Sequence, residues 1–174
     1  MKYAAIILAI IVSSCNSSSV SKTPETPVKH LSGNNIISFK INGQEVNSSA
    51  WVITRFSYHS NPQKVWLNIT SNMKEDERTI NVNLSGSTPG AYVLGGSAMK
   101  KESHGAFYPN YLENLANSYS FASGSFTITE VDTVKHLVNG YFSGTVKNLK
   151  GQTMEITDGK IINGTLNWNI IRYE

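Results

Sequence analysis

The chain has a single cysteine, little net charge and no long apolar run. Cys15 is the only cysteine among 174 residues, so it has no partner for an internal disulfide. Fifteen lysines and arginines stand against 12 acidic residues, and this near balance argues against nucleic-acid binding. The apolar stretch at residues 4–12 is about half of the roughly 20 residues that a membrane-spanning helix needs. We therefore expect neither a nucleic-acid partner nor a permanent transmembrane helix.

Motifs for metal binding and catalysis are also missing. The acidic run from Glu75 to Glu77 lacks the alternating oxygen ligands of a calcium loop, and we interpret it as a solvated hairpin tip. No Gly-x-Ser-x-Gly sequence is present, and residues 86–96 lack the lysine of a phosphate-binding loop. The histidines do not have the three- or four-residue helical spacing of a zinc site; they are His30, His59, His104 and His136. We expect no metal, no cofactor and no catalytic residues.

One pair of carboxylates leaves an enzymatic alternative open. Glu130 and Asp132 are two residues apart on a predicted strand, so they share a face at a separation compatible with the acid and base of a glycosidase. The nearby Lys135 favours a surface ion-pair cluster instead. The prediction remains that the chain is not an enzyme.

The N-terminus has the layout of an export signal. Lys2 supplies the positive start, residues 4–12 supply the apolar segment, and Ser13 and Ser14 are the small residues that a signal peptidase needs. The sequence Val12-Ser13-Ser14-Cys15 resembles the lipobox of bacterial lipoproteins. That resemblance implies cleavage of residues 1–14, a diacylglycerol thioether on Cys15 and acylation of its new amino group. The alternative is an ordinary secreted protein with a cysteine near the cleavage site.

Residues 15–34 are predicted to be a flexible tether. They are polar, contain Pro24 and Pro27, and bury too little apolar surface to offset the entropy of ordering. About 20 such residues give a mean reach on the order of 25 Å. We expect a domain held to the outer membrane through its lipid anchor, at either the periplasmic face or the cell surface.

Residues 35–174 are dominated by the period-two pattern of half-buried strands. Asn42-Gly43 is suited to a tight hairpin turn, and Asp158-Gly159 is predicted to turn the chain. Residues 97–119 form a long loop in which residues 111–116 could make a short helix. The pattern predicts an all-β antiparallel sandwich or barrel of about eight or nine strands. Its strands include residues 37–41, 51–59, 64–70, 79–85, 125–131, 137–147, 153–157 and 165–171.

Two strands make specific predictions about side-chain direction. In the last one, Leu166, Trp168 and Ile170 are expected to be buried. In residues 64–70 the core face belongs to Val65, Leu67 and Ile69, so Trp66 should point outward with Asn68. Aromatic faces beside amides are typical of sugar- and protein-binding surfaces. The candidate ligand-binding residues are therefore Trp66 and Asn68, together with aromatic residues in or beside the long loop: Phe107, Tyr108, Tyr111 and Tyr119.

Several segments resemble a group of small Bacteroidota lipoproteins of unknown function. Phe39-Lys40-Ile41-Asn42-Gly43, followed by Trp51, is similar to their opening. Residues 123–129, 138–146 and 156–161 are similar to their C-terminal part. The resemblance implies a β-sandwich-like lipoprotein and transfers no catalytic residue.

Together these features predict a non-catalytic outer-membrane lipoprotein whose domain binds a glycan or a protein at the cell envelope. The alternative is an immunity or inhibitor lipoprotein that protects against a toxin or a hydrolase, because a tether and a plain β domain would suffice for that role.

Overall fold

A computed structural model describes residues 35–172, except for the side chain of Pro62. Cys15, the signal sequence 1–14 and the tether 15–34 lie outside these residues. The described chain forms nine strands: β1 (Ile36–Ile41), β2 (Gln44–Tyr58), β3 (Asn61–Ser71), β4 (Thr79–Leu84), β5 (Gly90–Leu94), β6 (His104–Tyr108), β7 (Tyr119–Asp132), β8 (Leu137–Lys147) and β9 (Thr153–Ile171). The all-β prediction is confirmed.

The strands form one sheet that closes on itself. Around the ring the order is β2, β3, β4, β6, β7, β8, β9 and β1, and β1 pairs again with β2. Neighbours are antiparallel, except that residues 53–58 of β2 also pair in parallel with residues 166–171 of β9. The pairings therefore give a barrel-like arrangement, with β5 added to the edge of β7.

Strand alternation places the core inside the ring. Ile37, Phe39 and Ile41 of β1 are buried as predicted, and so are the alternate apolar residues of β4. Asn42 and Gly43 both have positive φ, 47° and 81°, as the tight β1–β2 hairpin requires. Five aromatic rings then cross the interior in contact with one another: Phe126, Phe142, Phe39, Phe107 and Tyr119.

The predicted turn at Asp158-Gly159 is wrong. Strand β9 continues through this dipeptide, and its pairing with β1 changes register between Ser38 and Lys40. Asp158 has a φ of 54°, so the turn signal forms an irregularity inside the strand. Gly159 packs against Phe142, where an added Cβ would lie 2.5 Å from the ring.

The long loop is also more ordered than predicted. Within residues 97–119 the chain forms β6, and residues 111–116 form turns in place of a helix. Strand β5 pairs with residues 124–128 of β7 and β6 with residues 119–120. β5 and β6 therefore lie end to end along one edge of β7. Residues 95–103 connect them, and we call this segment the wall loop. Within the described chain no helix is long and apolar enough to cross a membrane.

The last strand buries only part of its predicted face. Leu166 is 1% exposed, but Trp168 is 40% exposed and Ile170 is 55% exposed. These residues alternate on the inner face, but the ring is open toward this end. The alternation gives the direction of the side chains and not the depth of the core.

Glu75 ties the β3–β4 loop to β2, so the acidic hairpin tip is bonded and not merely solvated. Its carboxylate accepts hydrogen bonds from the amide and hydroxyl of Ser49 and from the side chain of Asn72. These bonds lower the pKa of Glu75 below its usual value, and the bond from the Ser49 amide has the largest effect. The stabilisation is therefore present at neutral pH and is lost as the pH falls through the depressed pKa.

We expect Glu75→Gln to reduce the pH dependence of stability in the acid range. The measurement is the free energy of unfolding in urea at neutral pH and at about pH 3, below the usual carboxyl pKa values. Glu77→Gln is the matched control, because Glu77 is exposed on the same loop. An unchanged pH dependence in Glu75→Gln would contradict the role given to this carboxylate.

Candidate functional site

A cleft of about 450 Å³ lies where β3 runs past the end of β4. The last β3–β4 pair is Leu67 with Leu84, whereas β3 remains paired with β2 as far as Asn61. Residues 61–66 of β3 are therefore paired with a strand on the β2 side only, and the cleft lies along their unpaired edge. Its lining comes from β2, β3, the end of β4, the wall loop and the start of β6: Tyr58, Gln63, Lys64, Val65, Trp66, Asn83, Leu84, Ser85, Ala98, Lys101, Glu102 and His104.

Trp66 points away from the core, as predicted, and forms the aromatic part of the cleft. Leu67 and Ile69, which follow it on β3, are buried on the inner face, and Trp66 is half-buried on the outer face. Its ring stacks on Phe56 with centroids 5.2 Å apart and planes 13° apart. Tyr58 lies at the same centroid distance with a tilt of 47°. These contacts from β2 fix the orientation of the indole before any ligand arrives.

The wall loop is closed by short-range hydrogen bonds. The Gly96 amide donates to the Ser103 carbonyl at 3.0 Å, and the Ser97 amide donates to the Glu102 carboxylate at 2.9 Å. A Cβ at Gly96 would lie 2.4 Å from the Glu102 Cβ, so glycine is required where the ends of the loop meet. The Ser85 amide donates to the Ser103 hydroxyl at 2.9 Å and fastens the loop to the end of β4. These hydrogen bonds hold the wall loop in place as one side of the cleft.

His104 and Glu102 contact each other through the backbone. Nδ1 of His104 lies 2.8 Å from the Glu102 carbonyl oxygen, which orients the imidazole. The Glu102 carboxylate is directed to the Ser97 amide. The two side chains therefore do not form a carboxylate–histidine pair of the kind that general-base catalysis uses.

An amide network continues from the cleft along the outer face of β3 and β4. The Asn68 side chain donates to Asn83 at 2.9 Å, Asn83 donates to Asn81 at 3.1 Å, and Asn81 donates to Thr70 at 2.7 Å. Asn68 thus holds Asn83 in place, and Asn83 lines the cleft. Asn68 lies beside the predicted site as a positioning residue.

Tyr108 and Tyr111 form a separate pair. Their ring centroids are 5.0 Å apart with planes at 77°. The pKa of Tyr108 is raised, mainly by burial and to a smaller extent by the nearby Tyr111. Tyr108 pairs with Thr79, whereas the cleft residue His104 pairs with Asn83 four residues along β4. At about 3.3 Å per residue the two places are roughly 13 Å apart along the strand. The structure does not bring these tyrosines to the cleft.

Phe107 and Tyr119 are a correction to the predicted site. Phe107 is 1% exposed and Tyr119 is 5% exposed, and their rings meet at 6.4 Å in the core. Phe107 lies on β6, a strand within the segment that was expected to be a loop. Their aromatic character therefore reflects packing, and neither ring presents a face to a ligand.

Glu130 and Asp132, the carboxylates of the enzymatic alternative, lie away from the cleft at the β7–β8 turn. Asp132 accepts hydrogen bonds from the amides of Val134 and Lys135, and Glu130 accepts one from Asn139. Asp132 also lies 3.6 Å from the Lys135 ammonium, which is the ion-pair arrangement that the sequence favoured. Among residues 35–172 no group of three or more histidine, cysteine or acidic side chains is placed to hold a metal ion.

Sequence reasoning missed most of the lining of the cleft. Asn83 could have been found from alternation, because Ile80, Val82 and Leu84 leave it on the outer face beside Trp66. Lys101, Glu102 and His104 belong to a segment without periodicity, and no local pattern indicates that it packs beside β3.

No protein-family model matches the sequence, and neither a curated protein nor a solved structure is significantly similar to the chain. The resemblance to Bacteroidota lipoproteins therefore stays a prediction.

Proposed function

We propose that this chain is a non-catalytic, lipid-anchored outer-membrane protein whose β domain binds a glycan in the cleft. The observation that carries the proposal is the placement of Trp66 and Tyr58 beside fixed polar side chains. Aromatic faces pack against the C–H faces of a sugar, while amides, hydroxyls and charged groups bond its hydroxyls. Asn83, Ser85 and His104 supply such groups within the same recess.

The size of the recess favours a sugar over a protein partner. Small-ligand sites occupy about 300–1,000 Å³, and the cleft lies in that range. A stable protein interface instead covers about 800 Å² on each partner. The cleft is bounded by the wall loop on one side and by Tyr58 and Trp66 on the other, which suits a short part of a glycan chain.

The charges in the cleft allow both neutral and acidic glycans. Lys64 and Lys101 stand against one carboxylate, Glu102, and that carboxylate is already bonded to the Ser97 amide. A uronic acid or phosphorylated sugar therefore meets no uncompensated negative charge. A glycan array should include both types.

We expect Trp66→Ala to weaken glycan binding by at least about 30-fold, which corresponds to the roughly 2 kcal/mol of a central aromatic contact. The experiment applies the full chain, reconstituted in lipid nanodiscs, to an array of envelope and plant polysaccharides. Positive glycans are then titrated by calorimetry. A wild-type chain that binds nothing on the array would contradict the proposal.

Trp51→Ala is the matched control, because Trp51 is a tryptophan of the neighbouring strand β2 that is 50% exposed and does not line the cleft. Equal losses in the two variants would show that the cleft is not the binding site. Thermal unfolding of both variants checks that each still folds. For Trp66→Ala it also shows whether the stack with Phe56 is needed for folding. Lys101→Glu changes the wall without touching the aromatic stack and gives a second test of the same site.

A further inference from the structure

Arg55 is a charged residue on the inner face of the ring. It pairs with Leu67 of β3 and with Trp168 of β9, and Leu67 is 1% exposed in the core. Two residues earlier on the same face, Ile53 is fully buried. The guanidinium therefore lies at the border between the packed interior and the open end of the ring.

The protein satisfies only part of this guanidinium. Its Nε donates to the Ser87 hydroxyl at 2.9 Å, and Ser87 is 5% exposed. No carboxylate of residues 35–172 lies within 4.0 Å of Arg55, since the ion pairs there join other residues. An arginine has five N–H donors, and the fork of its terminal nitrogens matches a carboxylate or phosphate in two parallel hydrogen bonds. In the described chain that fork has no protein acceptor.

Apolar surface is exposed beside the fork. Exposure along the inner face of β9 rises from 1% at Leu166 to 40% at Trp168 and 55% at Ile170. The His136 ring meets Trp168 edge to face at 4.4 Å and holds the indole from the β7–β8 turn. We call this open end of the ring, lined by Arg55, Trp168, Ile170 and His136, the mouth.

We propose that the mouth is a second binding site, which takes a small organic anion. The anionic group, a carboxylate or phosphate, binds the free fork of Arg55, and a flat apolar portion packs on Trp168. A half-buried cation without a carboxylate partner is costly to a fold unless something compensates it. A bound anion would supply that compensation, and Trp168 and Ile170 would then bury apolar area. This site is separate from the glycan cleft, since Arg55 and Trp66 lie on opposite faces of the sheet.

The test compares three probes on the full chain in nanodiscs, with empty nanodiscs as the blank. The probes are 4-phenylbutyrate, phenyl phosphate and the neutral 4-phenylbutyramide, and binding is followed by ligand-observed NMR and tryptophan fluorescence. We expect at least one anion to bind about 30-fold more tightly than the amide, the gain of a desolvated charge pair. Preference between the two anions distinguishes a carboxylate ligand from a phosphate ligand. Equal affinity for anion and amide, or no binding in the millimolar range, would overturn the proposal.

Arg55→Met and Arg55→Lys separate ligand binding from a structural role. Methionine keeps the stem and removes the charge, so the anion preference should disappear while the melting temperature without ligand stays nearly unchanged. Lysine keeps the charge without the fork and should restore only part of the preference. A melting temperature that falls in Arg55→Met as it does in a core variant would assign the arginine to folding and contradict the proposal. Arg172→Met is the control for loss of an exposed arginine.

Discussion

Replacing Phe142 with alanine is expected to lower the free energy of unfolding by about 3–5 kcal/mol. Phe142 is 3% exposed and stacks on Phe126 with centroids 5.6 Å apart and planes 4° apart. It also meets Phe39 at 6.0 Å, so it connects β7 and β8 to β1 across the interior. Removal of the ring would leave a cavity between strands that cannot close around it, because the ring of pairings holds them apart.

Tyr141→Ala is the matched control for this substitution. Tyr141 precedes Phe142 on β8 but is 55% exposed, so its removal should change stability by less than about 1 kcal/mol. Urea unfolding followed by circular dichroism measures both variants. Since domains have a total stability of about 5–15 kcal/mol, Phe142→Ala should lose a large share of it. Similar losses in the two variants would contradict the assignment of the aromatic row to the core.

The fold was predictable wherever one face of a strand is buried and the other is exposed to solvent. Ile80, Val82 and Leu84 alternate with small polar residues, and all three are 1% exposed. Asn42-Gly43 was equally predictable, because few other dipeptides adopt positive φ at both turn positions. Asp158-Gly159 misled for the same reason: positive φ also occurs in irregularities within a strand, and only the pairing of β9 with β1 and β8 distinguishes the two.

Closure of the sheet is a long-range property that alternation does not encode. The parallel pairing of residues 53–58 with residues 166–171 joins segments more than 100 residues apart. Trp168 and Ile170 take part in this pairing and are still 40% and 55% exposed, so neither their apolar character nor their alternation made them buried. Arg55 lies two residues after Ile53, so alternation alone places it on the inner face. Which residues surround its guanidinium depends on the strands that pair with β2.

Of the residues that line the cleft, only Trp66 was predicted, and the predicted Asn68 lies beside the cleft, where it holds Asn83. Trp66 followed from the alternation of β3, since its neighbours Leu67 and Ile69 occupy the core. The cleft itself arises because β4 ends at Leu84 while β3 continues, and because the wall loop folds back beside that gap. Neither fact has a local signature. Phe107 and Tyr119 show the converse, because aromatic residues near a loop are often core residues of a short strand that the loop conceals.

Cys15→Ser is expected to abolish acylation of the chain completely. If Cys15 carries the diacylglycerol thioether that the lipobox resemblance implies, serine has no thiol with which to form it. One acyl chain binds a bilayer marginally, and two or more hold it stably at about 0.8 kcal/mol for each buried methylene. Loss of the attachment residue therefore removes the whole anchor and not a part of it. Metabolic labelling with an alkyne fatty acid, followed by separation of membrane and soluble fractions, measures the change.

Ser14→Ala is the matched control, because alanine keeps a small residue beside the cleavage site and leaves the thiol in place. It should remain labelled and in the membrane fraction, whereas Cys15→Ser should be unlabelled and leave that fraction or accumulate as an uncleaved precursor. Acyl label that persists on Cys15→Ser would refute the lipoprotein assignment. The consequence for binding is also measurable: the released chain should still bind glycan with the affinity of the wild type, since the cleft is built entirely from residues 58–104. An unchanged glycan affinity of the released chain would show that the proposed anchor and the cleft act independently.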